Sequence, residues 1–317
     1  MSFLGAYSPQ DKALFGSVEC PDDVDIPLTD IHAYKKYPTL NWVYDKVKMC
    51  ETLEVPHGFA GVEPEEYPVF QKPIHNLEGR GQGTTLIKNP KDFKKSYSPG
   101  AFWMSAYTGE HWSIDHVVSK GEWKDYFIVE GHPTWDGMFD YWEYKGRVDE
   151  NMPTSANMLQ SSIKCTNFIE TYLKDSEFNG IINFECIGQN IIEIHLRISP
   201  QMAALYGEHN IKQIPGLYSD GVWKKDLGDK KPPGGYVLPL FVEDSPKHGY
   251  EINQQVIKDI ASDENMRHIS LEYDGEKDLN LIAHPPGGYY MGSITVKDLD
   301  QGKEERQRLL NAFIPRA

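Results

Sequence analysis

The amino-acid sequence predicts an α+β fold, and three observations support this prediction. Apolar residues recur at helical spacing in residues 41–55 and again in residues 155–173. Apolar and polar residues alternate through residues 180–198, as in strands with one buried face. The chain after Gln213 combines short strand patterns with short helical ones, and a length of 317 residues is enough for two or three lobes.

The composition is that of a globular protein and argues against several functional classes. The net charge of −15 and the pI near 5.2 argue against a nucleic-acid groove, because phosphate contacts need clustered Lys and Arg. No apolar run approaches the roughly 18 residues that a membrane span needs. Small molecules are therefore the expected partners, without nucleic acid or membrane, and a homo-oligomer is compatible with the sequence.

The N-terminal residues and the cysteines indicate the cellular compartment in which the protein is expected. Residues 1–16 show no basic segment followed by an apolar one, so we expect no signal peptide and a cytoplasmic location. The four cysteines have no paired spacing, which predicts reduced thiols rather than disulfides or a zinc site.

The elements follow in chain order. Residues 1–40 are acidic and interrupted by prolines, which predicts an arm that wraps another lobe. The helical pattern of residues 41–55 ends at Val55, because the following proline disfavours a helical predecessor. Strand patterns then lie at residues 68–73, 84–88, 101–118 (two strands joined at 108–109) and 126–144.

The second half begins with a helix that is capped by Thr154 or Ser155 and extends to about Leu173. Strands are predicted at residues 236–242 and 268–273, and helices at residues 252–260 and 303–313. The predicted units are an arm (1–40), a small lobe (41–105), a large lobe (106–213) and a small C-terminal α+β lobe (214–317).

The hairpin of residues 180–198 combines a strict alternation with a short turn at residues 188–190. If Ile187 pairs with Ile191, the antiparallel register sets Glu185 opposite Glu193. One face then collects Asn183, Glu185, Glu193, His195 and Arg197, and the other carries Ile182, Phe184, Ile192, Ile194 and Leu196 toward a core.

Two carboxylates directly opposed on a sheet destabilise the pair unless a positive charge lies between them. A divalent metal satisfies this requirement, since hard oxygen ligands suit Mg²⁺ and its bound phosphates. Arg197 could hold the same phosphates in a bidentate manner. The alternative is a solvated sheet face whose charges have no function.

The hairpin resembles the metal hairpin of the ATP-grasp superfamily, in which an acid precedes the turn and Glu-x-Asn-x-Arg follows it. Other motifs occur in the same order as in that family. They are Asp-Lys at 45–46, the Val-Phe-Gln-Lys-Pro strand at 69–73, the glycine-rich loop at 78–83, and the hinge and strand from Met104 to Asp115. The resemblance spans residues 41–206 and implies two α+β lobes that clasp a nucleotide.

The resemblance implies roles for individual residues. Glu185, Glu193 and His195 would bind the metal, and Arg197 and Lys72 would be catalytic. ATP with Mg²⁺ or Mn²⁺ would be the cofactors. The nucleotide would contact Lys46, Lys72, Gly79, Arg80, Gly81, Gly83, Met104, Ser105, His111 and Asp115.

The sequence departs from the family pattern in four respects. His195 replaces an asparagine, His111 a frequent glutamate and Ser105 a frequent hinge acid, and a short arm replaces the usual first lobe. An imidazole nitrogen suits Mn²⁺ or Zn²⁺ better than Mg²⁺.

The implied reaction is ATP-dependent activation of a small-molecule carboxylate as an acyl phosphate, which an amine then attacks. Two other functions remain as alternatives. A nucleotide-binding regulator or inactive relative would bind ATP without turnover. A sugar- or lipid-binding module would instead use the aromatic residues between Trp103 and Trp142, which more often form a core.

Overall fold

The computed structural model describes residues 2–5, 9–16, 18–75, 77, 81, 83–96, 98–134, 138–146, 155–224, 232–243, 248–285 and 287–316. The strands are β1 Phe3–Leu4, β2 Ile26–Pro27, β3 His57–Phe59, β4 Val69–Pro73, β5 Thr85–Ile87, β6 Ala101–Ser105, β7 His111–Ser119, β8 Glu122–Pro133, β9 Phe139–Gly146, β10 Gly180–Ile187, β11 Asn190–His195, β12 Tyr236–Val242, β13 Tyr250–Ile252, β14 Met266–Leu271, β15 Tyr289–Val296 and β16 Phe313–Pro315. The α-helices are α1 Pro9–Gly16, α2 Asp30–Lys36, α3 Lys46–Thr52, α4 Pro90–Phe93, α5 Ala156–Tyr172, α6 Pro200–Tyr206, α7 Glu208–Ile211, α8 Ile214–Asp220, α9 Gln254–Ala261 and α10 Leu299–Asn311. Two short 3₁₀ helices occupy Asn41–Tyr44 and Leu279–Leu281.

Two antiparallel sheets organise the fold. The large sheet has eight described strands in the order β11-β10-β7-β8-β9-β12-β15-β14, and the small sheet has four in the order β3-β6-β4-β5. The predicted pair of strands in residues 101–118 is confirmed as β6 and β7, but the two belong to different sheets. The segment between them therefore connects the small lobe to the large one.

The large sheet carries helices on both faces. Helix α5 begins at Ser155, whose hydroxyl accepts a hydrogen bond from Met158 N, so the predicted cap is confirmed there. The alternative cap, Thr154, lies outside the described residues. Phe168 and Ile169 of α5 pack with Ile114 and Phe184 in one core, while α6 and α8 pack on the opposite face against Val117 and Phe127.

The C-terminal segment extends the large sheet by three described strands, and its strands β13 and β16 pair separately as a two-stranded sheet. Strand β12 has the predicted bounds and pairs with β9, so the sheet continues across the predicted boundary at residue 213. Strand β15, which the sequence analysis missed, lies between β12 and β14. Helix α10 begins four residues before the predicted start at residue 303, because Asp298 accepts a hydrogen bond from Gln301 N and caps it.

The predicted single helix at residues 41–55 is wrong in its continuity. The chain forms a 3₁₀ turn, stops at Asp45, and begins again as α3. The carboxylate of Asp45 accepts hydrogen bonds from Val47 N and Lys48 N, which is the geometry of an N-cap and ends any preceding helix. Lys46 therefore stands at the first position of α3.

The N-terminal arm contacts both edges of the large sheet. Asp11 of α1 accepts a hydrogen bond from Ser270 Oγ and lies 2.9 Å from His268 Nε2 on edge strand β14. Asp30, at the start of α2, contacts His195 at the end of the opposite edge strand β11. The arm thus joins the two edge strands. None of the described helices is long and apolar enough to cross a membrane.

Candidate active site

The hairpin β10–β11 has the predicted register where it carries its polar residues. Glu185 pairs with Glu193 and Asn183 with His195. The predicted pairing of Ile187 with Ile191 is wrong, because Ile187 pairs with Asn190 and the register shifts after Glu185. Gly188 has φ +57°, which permits a tighter turn than the predicted one.

The two faces of the hairpin separate as the alternation predicts. The apolar side chains Ile182, Phe184, Ile192, Ile194 and Leu196 are all buried. On the other face Glu185 and Glu193 are half-buried, and His195 is buried. The polar face therefore lies in a partly closed space, where a charge has little water to stabilise it.

Three side chains of this face converge. Nε2 of His195 lies 3.8 Å from Glu185 Oε1 and 3.6 Å from Glu193 Oε2, and one ligand atom from each residue lies within 4.8 Å of the others. The same Nε2 atom is buried and has no hydrogen-bond partner among the residues that the structure describes. Two carboxylate oxygens and one imidazole nitrogen fit a divalent cation, and a bound cation would satisfy the unpaired nitrogen.

Two lysines approach the same glutamate from its other oxygen. Lys46 Nζ donates a hydrogen bond to Glu193 Oε1, and Lys72 Nζ lies 3.6 Å from that atom. Both lysines are buried. Burial lowers the pKa of Lys72 despite the opposing charge of Glu193. Burial also acts to raise the pKa of Glu193, but Lys46, His195 and Lys72 outweigh it and hold that pKa well below its usual range.

The arm contributes a residue that the sequence analysis missed. Both carboxylate oxygens of Asp30 lie 3.0 Å from His195 Nδ1, and Arg197 Nε donates to Oδ1 at 3.1 Å. Burial acts to lower the pKa of His195, but Asp30 outweighs it and raises that pKa to about 9. One signal was present in the sequence, because Asp30 continues the alternation of the buried residues Val24, Ile26 and Leu28.

The remaining predicted residues fall into three groups. His111 Nε2 lies 3.7 Å from Glu185 Oε2, and its ring packs against Phe139 and Trp142. Asp115 lies beneath the site, where it accepts hydrogen bonds from Asn183 Nδ2 at 2.5 Å and from the Tyr206 hydroxyl.

The predicted hinge and loop residues lie in the small lobe. Met104 and Ser105 end strand β6 and pair with Phe70 and Val69 of β4, two and three positions from Lys72 on that strand. Gly81 and Gly83 have φ of +65° and +69°, which an L side chain rarely adopts, so these turns favour glycine. Gly79 and Arg80 lie outside the described residues.

Comparisons with known proteins relate the fold to a group of ligases. No family model matches the sequence, and no curated protein matches it. An L-amino acid ligase from Bacillus licheniformis has a similar structure, with 13% identity, a TM-score of 0.63, and coverage of 92% of this chain and 80% of that one.

Two further structures are similar. N5-carboxyaminoimidazole synthase from Aspergillus clavatus, in complex with ADP and 5-aminoimidazole ribonucleotide, has 15% identity and a TM-score of 0.57, covering 92% of this chain and 76% of that one. N5-carboxyaminoimidazole ribonucleotide synthetase from Thermotoga maritima has 17% identity and a TM-score of 0.54, covering 87% and 73%. These similarities, together with the order of the lysine, glycine-rich and hairpin motifs in the sequence, identify the fold of this chain as the ATP-grasp fold.

Proposed function

We propose that the protein is an ATP- and metal-dependent ligase that activates a carboxylate as an acyl phosphate for attack by an amine. The single observation that carries this proposal is the arrangement around Glu193. Its Oε1 atom faces Lys46 and Lys72, and its Oε2 atom faces His195 and, beyond it, Glu185. The Glu193 carboxylate thus faces the other two candidate metal ligands with one oxygen and two ammonium groups with the other.

The trio Glu185, Glu193 and His195 would hold the metal. The metal would bind to Glu185 Oε1, Glu193 Oε2 and His195 Nε2. The lysines contact the other oxygen of Glu193, Oε1, so they can keep their position when a cation binds. A bound divalent cation neutralises charge on the phosphates of ATP. Because one donor is an imidazole nitrogen, we expect Mn²⁺ to bind more tightly than Mg²⁺.

The chemistry requires little covalent participation by the protein. A carboxylate oxygen of the first substrate attacks the γ-phosphorus, the bond to the β–γ bridging oxygen breaks, and ADP leaves. The amine nitrogen then attacks the acyl carbon, phosphate leaves, and the amine proton passes to water. Lys46, Lys72 and Arg197 would stabilise the charge that spreads over the phosphoryl oxygens during transfer.

The nucleotide site is proposed on the same basis. Lys72 on β4 and the hinge residues Met104 and Ser105 on β6 lie in one small sheet, which is consistent with phosphates at the lysine and the base near the hinge. Gly81 and Gly83, with the loop around them, would approach the phosphates through backbone N–H groups. A cytoplasmic location and small-molecule carboxylate and amine substrates are part of this proposal.

Release of ADP and phosphate tests the proposal. Purified protein is mixed with ATP, Mn²⁺ or Mg²⁺, and a panel of carboxylate and amine pairs, beside Glu193→Gln. We expect metal-dependent release that the variant lowers by at least about 10²-fold. Glu305→Gln is the control, because Glu305 is a buried glutamate that pairs with the basic side chain of Arg308 and belongs to neither acid and histidine group that could hold a metal in the described chain.

Two outcomes contradict the proposal. Equal activity in Glu193→Gln and Glu305→Gln would show that turnover does not depend on this site. Thermal stabilisation by ATP without ADP release under any pairing would favour the nucleotide-binding regulator, a function that the histidine at position 195 and the serine at position 105 suggest.

A further inference from the structure

The arm places a buried carboxylate behind the candidate metal ligand. Asp30 is only 4% exposed, although it belongs to a segment rich in acids that are mostly exposed. Its two oxygens contact His195 Nδ1, and one of them also accepts from Arg197 Nε. A carboxylate buried this deeply is costly unless it is paired, so both contacts are needed to keep it there.

The contact to Nδ1 decides which ring nitrogen faces the two glutamates. In the neutral ring, which is the form that binds a metal, Asp30 holds the proton on Nδ1 and the lone pair lies on Nε2. Nε2 is the atom that lies within 4 Å of Glu185 and Glu193, and no described residue forms a hydrogen bond with it. A carboxylate behind a histidine in this manner fixes the tautomer and the ring orientation and makes the nitrogen a better ligand.

We propose that Asp30 is the positioning residue of the site, through which the N-terminal arm makes His195 a metal ligand and fixes the orientation of Arg197. This inference rests on the proposed function, since it presumes a cation at the trio. The arm would then complete the site from a distance of 165 residues along the chain, in addition to packing against the lobes.

A purely structural role for Asp30 is the competing explanation, and the chain contains a control for it. Asp11, also on the arm and also buried, contacts His268 Nε2 at 2.9 Å and accepts from Ser270 Oγ at 3.1 Å. The described residues around this second pair do not form one of the acid and histidine groups that could hold a metal. Asp11→Asn therefore removes a similar contact between the arm and an edge strand and leaves Glu185, Glu193 and His195 unchanged.

Binding of Mn²⁺ to the full chain, measured from the free-ion electron paramagnetic resonance signal with and without ATP, tests the inference. We expect Asp30→Asn to weaken Mn²⁺ binding by about 10- to 100-fold and Asp11→Asn to leave it within about 2-fold of the wild type. In a His195→Asn background, Asp30→Asn should weaken binding by less than about 2-fold, because its effect passes through the imidazole.

The outcomes separate the two proposals. If the wild-type protein binds no Mn²⁺ even with ATP, the proposed function and this inference both fail. If it binds Mn²⁺ and Asp30→Asn binds it equally well, or if Asp11→Asn loses as much affinity, the inference fails alone.

A measurement on the wild type keeps the test independent of the folding of any variant. In the ¹⁵N-histidine spectrum of the protein loaded with Zn²⁺, we expect Nε2 of His195 to carry the coordination shift and Nδ1 to retain its proton. Coordination through Nδ1 would overturn the inference, because Asp30 would then compete with the metal for the same atom.

Discussion

Two aspartates of the N-terminal arm each contact a histidine on an edge strand of the same sheet, but their surroundings differ. Asp30 shares its carboxylate between His195 and Arg197, and Asp11 shares its carboxylate between His268 and the neutral hydroxyl of Ser270. The first histidine also faces two glutamates, whereas the second is not part of a candidate metal group within the described chain. An Asp–His pair alone therefore does not define a candidate metal site, and the charged groups around the pair distinguish one from the other.

Loss of Asp30 should destabilise the protein more than loss of Asp11. Asp30→Ala leaves two buried cationic groups without their shared carboxylate, so we expect it to lower the free energy of unfolding by about 3–5 kcal/mol. Asp11→Ala should lower it by about 1–3 kcal/mol, since Asp11 accepts from the neutral hydroxyl of Ser270 where Asp30 accepts from a guanidinium. Urea denaturation of the metal-free proteins measures both, and an equal loss would contradict the distinction.

Substitution of the residue that shares each aspartate with its histidine, Arg197 or Ser270, should affect activity differently in the two regions. Arg197→Met is expected to lower the rate of ADP release by about 10²- to 10³-fold, because the guanidinium would stabilise charge on the transferred phosphoryl group. Ser270→Ala should leave the rate within about 2-fold. Steady-state kinetics with ATP and the active substrate pair measures this, and a comparable loss in Ser270→Ala would count against the assignment.

A third histidine of the sheet sharpens the comparison, because it lacks an aspartate. His116 on β7 packs against the rings of Tyr126 and Phe184, and burial lowers its pKa to about 3. The unfolded chain takes up a proton near pH 6.5 and the native chain does not, so stability is fully present above pH 6.5 and falls as the pH falls toward 3.

The expected loss is about 2 kcal/mol between pH 6.5 and pH 5, at 1.36 kcal/mol for each unit of pKa shift. Urea denaturation at several pH values measures it in the wild type and in His116→Phe. Between these pH values, the free energy of unfolding of the wild type should rise with pH more steeply than that of the variant. The difference in slope should correspond to the uptake of about one proton on unfolding. Equal slopes would show that His116 carries a proton in the folded protein.

The smallest predicted effect concerns metal preference at the Asp30 pair. His195→Asn replaces the imidazole nitrogen by an amide oxygen, so we expect the ratio of Mn²⁺ to Mg²⁺ affinity to fall by about 10-fold. His268→Asn, at the Asp11 pair, should leave the ratio unchanged. Competition of Mg²⁺ for bound Mn²⁺ measures it, and an unchanged ratio in His195→Asn would exclude the imidazole as a ligand.

The sequence predicted local features of the fold better than long-range ones. The alternation in the hairpin predicted which side chains are buried, and it placed Glu185 opposite Glu193 although the predicted turn was wrong. The register shift after Glu185 explains this result, because it restores the predicted pairing of Glu185 with Glu193 beyond the tighter turn. Strand β15 was missed because its residues are buried on both faces, so no alternation marks it.

The candidate site was predictable where its residues lie in one motif and unpredictable where they come from distant segments. Glu185, Glu193 and His195 lie in a single hairpin, so periodicity alone brings them together. Asp30 reaches them from the arm, and its sequence neighbourhood holds several other acids that stay exposed. The alternation of Val24, Ile26 and Leu28 indicates that Asp30 is buried, but only the three-dimensional path of the arm shows that it contacts His195.

The contact of the arm with both edge strands has a consequence for how the chain folds during synthesis. Asp30 precedes its partner His195 by 165 residues, and Asp11 precedes His268 by 257 residues. At about 5–20 residues per second, the ribosome needs roughly 13 to 51 s to make the 257-residue separation between Asp11 and His268. The arm is therefore made before both of its partner strands and docks late, because a nascent chain that already contains the whole hairpin still lacks β14, on which Asp11 docks.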